Sequence, residues 1–291
     1  MTGAAVRRCA AWAVTLAMAS LLSLAPSAQA ADALRVVDRV EGRAIPFDDL
    51  ASGFADVDVL LVGGQPGQPA THRAEVRLFE ALSAGRTTGA LALEAFDRQA
   101  QDPLDHLQMG HLDDAAFLAD VRRPWVEYVR DYKPTVDRAI AREWGVVAAG
   151  MPRPVAMAVA ATGLATLDAL AAGERSLVAA THDCGDVRHP GVEQLPGPYS
   201  NVALCLESET LAESIAQAHA AGALGGGKPL VIALVQEWRL GHLTRLAGDV
   251  MRRLPGHSVE TLAIVVVPDV EAVAVARDDL AIPRLAVYIQ P

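Results

Sequence analysis

The sequence has no cluster of lysine or arginine residues, and its formal net charge at pH 7 is −10. Proteins that bind nucleic acid carry a basic patch because they neutralise phosphate charge, so this balance argues against nucleic acid as a partner. The chain also lacks the G-x-S-x-G elbow of serine hydrolases, and its serines are few and scattered. It has no internal repeat and no low-complexity tract. These absences exclude several common functional classes before any residue is singled out.

A further absence concerns the loop after the apolar run Val57–Val62. A continuous apolar run is typical of a strand that is buried on both faces of a parallel sheet. In α/β proteins, the loop at the carboxyl end of such a strand usually carries the chemistry. Here no carboxylate, thiol or imidazole occurs between Asp58 and His72, and a Gly/Pro-rich stretch takes their place. The predicted strand and its following loop are present, but the loop lacks the reactive side chains that usually form a site.

The N-terminal segment contains the one long apolar stretch, Ala10–Leu24, which follows two arginines and precedes small residues ending at Ala30. This order is typical of a secretory signal peptide, here residues 1–30. A retained membrane anchor is the alternative, but the stretch is short and rich in alanine for a membrane span. Cleavage removes two arginines and no acidic residue, so the formal charge becomes −12. We expect an exported, periplasmic protein with no stable membrane span after processing.

Cysteine is scarce, and only Cys184 and Cys205 remain once the signal peptide is removed. In an oxidising compartment a disulfide between them is the default expectation. It would close the turn-rich segment Gly185–Ala203 and contribute roughly 3 kcal/mol in the chain-entropy model. The alternative is a zinc site made of these two cysteines with His182 and His189, although their spacing matches no common zinc pattern.

Apolar runs alternate with amphipathic segments through most of the mature chain, which predicts an α/β fold. The predicted architecture is a mostly parallel β-sheet flanked by helices, with a small helical insertion. The predicted strands are Leu34–Val37, Val57–Val62, Ala90–Leu93, Gly145–Ala149, Pro229–Val235, Thr261–Val267 and Leu285–Ile289. The predicted helices around them are Thr71–Ala84, Val155–Ala161, Leu164–Ala171, Glu209–Ala221 and Leu240–Arg253.

The segment from Asp102 to Arg142 has no strand pattern, and its apolar residues recur at helical spacing. Breaks at Gly110, Pro124 and Pro134 predict three or four helices. We therefore expect residues 99–144 to form a helical insertion over the carboxyl edge of the sheet. Residues 31–98 and 145–291 would form the sheet domain itself.

Four segments of the chain, in the same order, resemble a known protein family. They are Val59–Gly63 leading to His72-Arg73, then Leu93–Gln99, Trp125–Pro134 and Val146–Arg153. Through them the chain resembles the ChaN-like haem-binding proteins of the bacterial periplasm. These belong to a larger α/β group that includes erythromycin esterase and the TraB/Tiki proteins. The resemblance covers most of the mature chain. It implies binding of haem or a related iron cofactor, a role in iron uptake, and a homodimer.

The chain departs from this family at its signature. Members carry Gly-Glu-x-His after the first of these strands, whereas the positions here are Gly63, Gly64, Gln65 and Pro66. In the hydrolytic relatives such a carboxylate and imidazole would bind a metal or move protons. Glycine and proline cannot do so. The sequence therefore resembles a family member that has lost the signature glutamate and histidine. This loss argues against an enzyme.

Haem needs an axial ligand such as His, Tyr, Met or Cys and an apolar slot for the ring. The candidates are Tyr132, in a family-like Tyr-Lys-Pro turn, and His72, close to the signature loop. His106 and His111, which flank Met109 in the helical insertion, complete the set. The alternative for each is a structural role, with Tyr132 packed in the core and the histidines on the surface.

Two charged residues are further candidates for the cleft. Glu94 ends a buried run, and carboxylates at strand ends are often functional in this architecture, although it could instead cap a helix or pair with an arginine. Arg153 could receive a haem propionate, since a guanidinium group suits bidentate recognition of a carboxylate. Otherwise it is an ordinary surface charge.

Two other functions stay open from the sequence. One is a metal-dependent hydrolase like the esterase relatives, using Glu94, His72 and Glu209. The other is a non-catalytic member that binds a small ligand or a protein through the same cleft.

Overall fold

A computed structural model describes residues 34–121, 127–185, 195–224, 226–241, 245–273 and 283–291. The predicted signal peptide, Pro124, Trp125 and His189 lie outside these residues. The described strands are β1 Leu34–Asp38, β2 Arg43–Ile45, β3 Val59–Gly64, β4 Gly89–Asp97, β5 Gly145–Gly150, β6 Leu230–Gln236, β7 Val259–Val266 and β8 Leu285–Ile289.

Within the described residues these strands form one sheet in the order β2-β1-β8-β7-β3-β6-β4-β5. Strand β3 is parallel to β6 and β7, β4 is parallel to β5 and β6, and β7 is parallel to β8. The prediction of a mostly parallel sheet is confirmed. The exception is one edge, where β1 is antiparallel to both β2 and β8. Strand β2 was not predicted because its three residues are too short to show a pattern.

Helices pack on both faces of the sheet. They are α1 Leu50–Gly53, α2 Pro69–Ser83, α3 Gln101–Gln108, α4 Asp114–Asp120, α5 Tyr128–Asp131, α6 Lys133–Ala141, α7 Arg153–Thr162, α8 Ala172–Arg175, α9 Ser200–Ala223 and α10 Leu246–Arg253. Short 3-10 helices lie at Phe47–Asp49, Arg98–Ala100, Leu164–Ala169 and Glu237–Leu240. None of the helices in the described part of the chain combines the length and the apolar character that a bilayer crossing requires.

Strand β3 lies near the centre of the sheet and is buried on both faces. Successive side chains of a strand point to opposite faces. Leu60 and Val62 pack with helix α2 and the helices of residues 101–141, whereas Val59 and Leu61 pack with α9 and α10. All four side chains are fully buried. This two-sided burial is what the continuous apolar run predicts.

The predicted insertion consists of helices α3, α4, α5 and α6 in its described part. Gly110 follows α3 with a positive φ of 72°, a conformation that glycine adopts without strain. Pro134 lies in the first turn of α6, so it begins a helix rather than breaking one. Phe117 and Tyr128 from this segment share one hydrophobic cluster with Phe96 of β4. The insertion therefore contributes to the same core as the sheet.

Three predicted helices have different bounds or character in the structure. Helix α9 begins at Ser200, well before the predicted start, because Leu204 and Leu206 form a buried cluster with α7. Residues Leu164–Ala169 form a 3-10 helix. The predicted start of the last helix at Leu240 is wrong. Leu240 ends a 3-10 helix that packs against β3, and α10 begins at Leu246.

The edge of the sheet at β5 is covered by two glutamines of α3. Gln101 accepts a hydrogen bond from the amide of Ala148 at 2.7 Å and donates to the carbonyl of Val146 at 3.1 Å. Gln108, seven residues later on the same face of α3, accepts from the amide of Val146 at 2.7 Å and donates to its carbonyl at 3.1 Å. The two side-chain amides thus satisfy backbone groups that face away from β4.

The predicted disulfide is present. Cys184 and Cys205 are bonded, their Cα atoms are 5.7 Å apart, and both residues are buried. The two cysteines form a group of potential metal donors with Glu209, but the disulfide uses both sulfur atoms. The zinc alternative is therefore not supported by the pairing. The bond ties the segment after α8 to the interior of α9.

We predict that replacing both cysteines, Cys184→Ala and Cys205→Ala, lowers the free energy of unfolding by about 3 kcal/mol, because the unfolded chain gains loop entropy. Urea denaturation without reductant measures the loss. Wild-type protein with reductant should lose a similar amount, and the double variant should not respond to reductant. An unchanged urea midpoint in the variant would contradict a stabilising role for the bond.

Candidate functional site

The carboxyl ends of the parallel strands β3, β4, β5 and β6 meet at a cavity of about 240 Å³. Four residues that the sequence singled out line it: His72, Glu94, Tyr132 and Arg153. They come from helix α2, the end of β4, the junction of α5 with α6, and the start of α7. The cavity therefore brings together four predicted residues that are up to 81 positions apart, from His72 to Arg153.

His72 lies in the first turn of α2 and is buried between two carboxylates. Its Nδ1 is 2.8 Å from Oε2 of Glu75, and its Nε2 is 3.5 Å from Oδ2 of Asp131. The three-residue spacing places His72 and Glu75 on one face of the helix. Burial raises the pKa of Glu75, and the hydrogen bond to His72 opposes that rise. Asp131 is also held by Arg130 at 2.6 Å.

Tyr132 follows Asp131 in sequence and lies against the imidazole. The ring centres of His72 and Tyr132 are 4.9 Å apart in an edge-to-face arrangement. Burial raises the pKa of Tyr132, and the neighbouring carboxylates of Glu75, Asp131 and Glu94 raise it further. Its phenol is therefore protonated at neutral pH. The sequence left open whether Tyr132 lies in the core or at the cleft. In the structure its ring packs in the core and also lines the cavity.

Glu94 takes part in a buried ion-pair network on the other side of the cavity. Arg239 donates from Nε to Glu94 at 2.9 Å and from Nη2 to Glu207 at 3.0 Å. Glu94 also accepts from the backbone amide of Gln236 at 2.8 Å. The guanidinium group of Arg239 lies 4.0 Å from the ring centre of Trp238. Burial raises the pKa of Glu207, an effect opposed mainly by Arg239.

Arg153 lies at the exposed rim of the same cavity. Burial raises the pKa of Glu207, and the charge of Arg153 makes a small contribution, after that of Arg239, to opposing this rise. Within the described part of the chain it forms no hydrogen bond or ion pair. Its guanidinium group can therefore turn toward an anionic group of a ligand at the rim.

The structure places His106 and His111 outside the cavity. Both are exposed at the end of α3, and their ring centres are 5.8 Å apart. Glu209 also lies away from it, because it accepts hydrogen bonds from Arg252 at 2.6 and 2.7 Å and from Arg253. Two positions earlier on α9, on a different face of the helix, Glu207 lines the cavity instead. The hydrolase set of Glu94, His72 and Glu209 is therefore not assembled.

Sequence reasoning missed several residues of the site, namely Glu75, Asp131, Glu207, Trp238 and Arg239. Glu75 was detectable, since an acidic residue three positions after His72 falls on the same helix face. The pairing of Arg239 with Glu94 joins residues 145 positions apart, and no local pattern indicates it.

The two glycines at the end of β3 admit close neighbours on both faces. A Cβ atom on Gly63 would lie 2.5 Å from Cδ1 of Leu240. A Cβ atom on Gly64 would lie 2.4 Å from Cγ2 of Thr71 and 3.0 Å from Oε1 of Glu75. The position of the family's signature glutamate is thus blocked by helix α2. The carboxylate nearest to it is that of Glu75.

We predict that Gly64→Ala lowers the free energy of unfolding by roughly 1–3 kcal/mol through overpacking. Thr71→Ser removes the closest atom, so the double variant should be more stable than the sum of the single effects implies. Urea denaturation of the four proteins gives this coupling directly. Gly248→Ala in α10 is the control, because no heavy atom lies within 4 Å of its added Cβ. Strictly additive effects would show that Gly64 and Thr71 do not make this contact.

Comparisons with known proteins support the fold and identify the family of the chain. A solved structure, described as cofacial heme binding to ChaN of Campylobacter jejuni, is similar to this chain with a TM-score of 0.60. The match covers 89% of this chain and 98% of the other, at 12% sequence identity, so it concerns the fold. No curated protein sequence matches the chain.

A family model described as haem-binding uptake, Tiki superfamily, ChaN matches residues 50–233. This range includes β3, the insertion and most of the residues that line the cavity. The chain therefore belongs to the ChaN family of haem-binding uptake proteins in the Tiki superfamily.

Proposed function

We propose that this protein is exported and binds haem at the cavity between the sheet and helices α2, α5 and α6, in iron uptake. The observation that carries the proposal is the placement of Tyr132, His72 and Arg153 around one cavity. A tyrosine that has lost its phenolic proton and an imidazole are axial ligands of haem iron in proteins, and a guanidinium group binds carboxylates such as propionates. The family supplies the ligand class.

The donor set at the cavity fits an iron centre. His72 has the carboxylate of Glu75 at its Nδ1, which is the outer-shell arrangement of many metal-binding histidines. Its Nε2 is buried and forms no hydrogen bond within the described residues, and Oδ2 of Asp131 lies 3.5 Å from it. Tyr132 lines the same cavity. When bound, haem would supply a redox-active iron held by one of these two side chains.

The charges around the cavity also favour a cationic centre. Four carboxylates line it, those of Glu75, Glu94, Asp97 and Glu207, against the two guanidinium groups of Arg153 and Arg239. Arg239 is already shared between Glu94 and Glu207. A positively charged iron is therefore better accommodated in the interior than an anion. The anionic edge of the ligand would be directed to Arg153 at the rim.

The size of the cavity bears on the homodimer that the family resemblance suggests. Its volume of about 240 Å³ is below the roughly 300–1,000 Å³ of pockets that enclose a small molecule. One protomer would therefore cover only part of a macrocycle. A second copy of the chain would cover the rest, which is the assembly we propose.

The haem proposal predicts that mature residues 31–291 bind haem with a saturable Soret band. Tyr132→Phe should weaken binding at least about tenfold, roughly 1.4 kcal/mol, if the phenol is the ligand. Tyr128→Phe is the matched control, because Tyr128 is also buried against Phe96 but does not line the cavity. The His72→Gln variant, titrated in the same way, tests whether the imidazole of His72 is the ligand instead. A wild-type protein without a saturable band would overturn the proposal and leave a non-catalytic binder of another ligand.

Export predicts a defined mature N-terminus. When the full chain is produced in a bacterium with a secretory system, the periplasmic fraction should contain a protein that begins at about Ala31. Intact mass and N-terminal sequencing measure this. A variant with both Arg7 and Arg8 replaced by glutamate is the control, since a signal peptide needs its positive start. Full-length protein retained in the cytoplasm would contradict the prediction.

A further inference from the structure

The turn after α3 brings two histidines together on the surface. Gly110 adopts a φ of +72°, and the backbone amides of His111 and Leu112 both donate to the carbonyl of His106, at 2.8 and 3.3 Å. These bonds reverse the chain at the end of the helix. The imidazole of His111 thereby returns to within 5.8 Å of that of His106, measured between ring centres.

Neither ring has an evident structural role. Both residues are exposed, and within the described part of the chain neither imidazole forms a hydrogen bond or an ion pair. Met109, between them in sequence, is 58% exposed, which is unusual for a large apolar side chain.

The separation of the rings matches a shared metal ion. An ion bound to one nitrogen of each imidazole at roughly 2.0–2.1 Å places the ring centres about 4.5 to 6.4 Å apart, for nitrogen–metal–nitrogen angles from roughly 90° to linear. The observed 5.8 Å lies inside that range.

We propose that His106 and His111 form a surface site for a late first-row divalent cation, with Cu²⁺ as its tightest ligand. Imidazole nitrogens suit Cu²⁺, Ni²⁺ and Zn²⁺, and affinity among these ions is highest for Cu²⁺. The site is separate from the cavity and holds whether or not the cavity binds haem.

A second pair of histidines provides the comparison that makes the proposal testable. His219 and His257 have ring centres 4.6 Å apart at the opposite end of the sheet, near the start of β3. His219 is buried, whereas His257 is exposed. Because only one of these rings is open to solvent, the pair is the less accessible of the two. His257→Gln is therefore the matched control.

The experiment is a titration of the untagged, haem-free mature chain with Cu²⁺, followed by calorimetry and by the paramagnetic broadening of histidine side-chain NMR signals. We expect one ion per chain, with the signals of His106 and His111 broadened first. His106→Gln and His111→Gln should each weaken binding at least about tenfold, and the double variant should lose saturable binding. His257→Gln should bind as the wild type does.

Two results would overturn the proposal. The first is no saturable Cu²⁺ binding in the wild type. The second is binding that survives in the His106/His111 double variant or disappears in His257→Gln, which would place the ion elsewhere. Because the glutamine side chains lie on an exposed turn, circular dichroism should show that all variants remain folded. A haem titration of the double variant separates this site from the cavity, since its Soret band should be unchanged.

Discussion

The close approach of two elements to the end of strand β3 is the constraint on which the cavity depends. Helix α2 packs against one face of Gly64, and the 3-10 helix Glu237–Leu240 packs against the other face of the strand at Gly63. Each approach is possible only because no side chain intervenes. The first places His72 at the cavity wall, and the second places Arg239 there. The positions of His72 and Arg239 at the cavity therefore both depend on the glycines that end β3.

Buried charge gives the site a fixed shape at a considerable energetic cost. Arg239 is 5% exposed and is shared between Glu94 and Glu207, so each of the three charges depends on the others for compensation. Removing one member of a buried pair typically costs roughly 3–5 kcal/mol, because the remaining charge is left without a partner. A similar dependence links His72 to its two carboxylates. The polar wall of the cavity is therefore held in place by the protein's own ion pairs.

The sequence predicts the sheet well because its strands are long apolar runs. Leu285–Ile289 has the same bounds in prediction and structure, and β3 is shifted by only two residues. Elements whose bounds depend on distant partners were harder to predict. Leu240 leaves the helical pattern because it packs on Gly63, far away in the chain.

The residues of the site also differ in whether the local sequence or a distant partner determines their position. His72, Glu94, Tyr132 and Arg153 were found because they lie at strand ends or in family-like segments. Arg239 was missed because only the folded sheet brings it to Glu94. His106 and His111 were predicted at the cavity but do not lie there. Their residue types suggested the cavity, but the turn at Gly110 directs them to the surface.

The two glutamines of α3 that cover the edge of β5 limit how copies of this protein can associate. A free strand edge is a template on which a strand from another chain can continue the ladder. Gln101 and Gln108 already occupy the donors and acceptor of Val146 and Ala148 that such a strand would need. At the other edge, β2 has only three residues. Sheet extension between copies is therefore disfavoured at both edges of the described sheet.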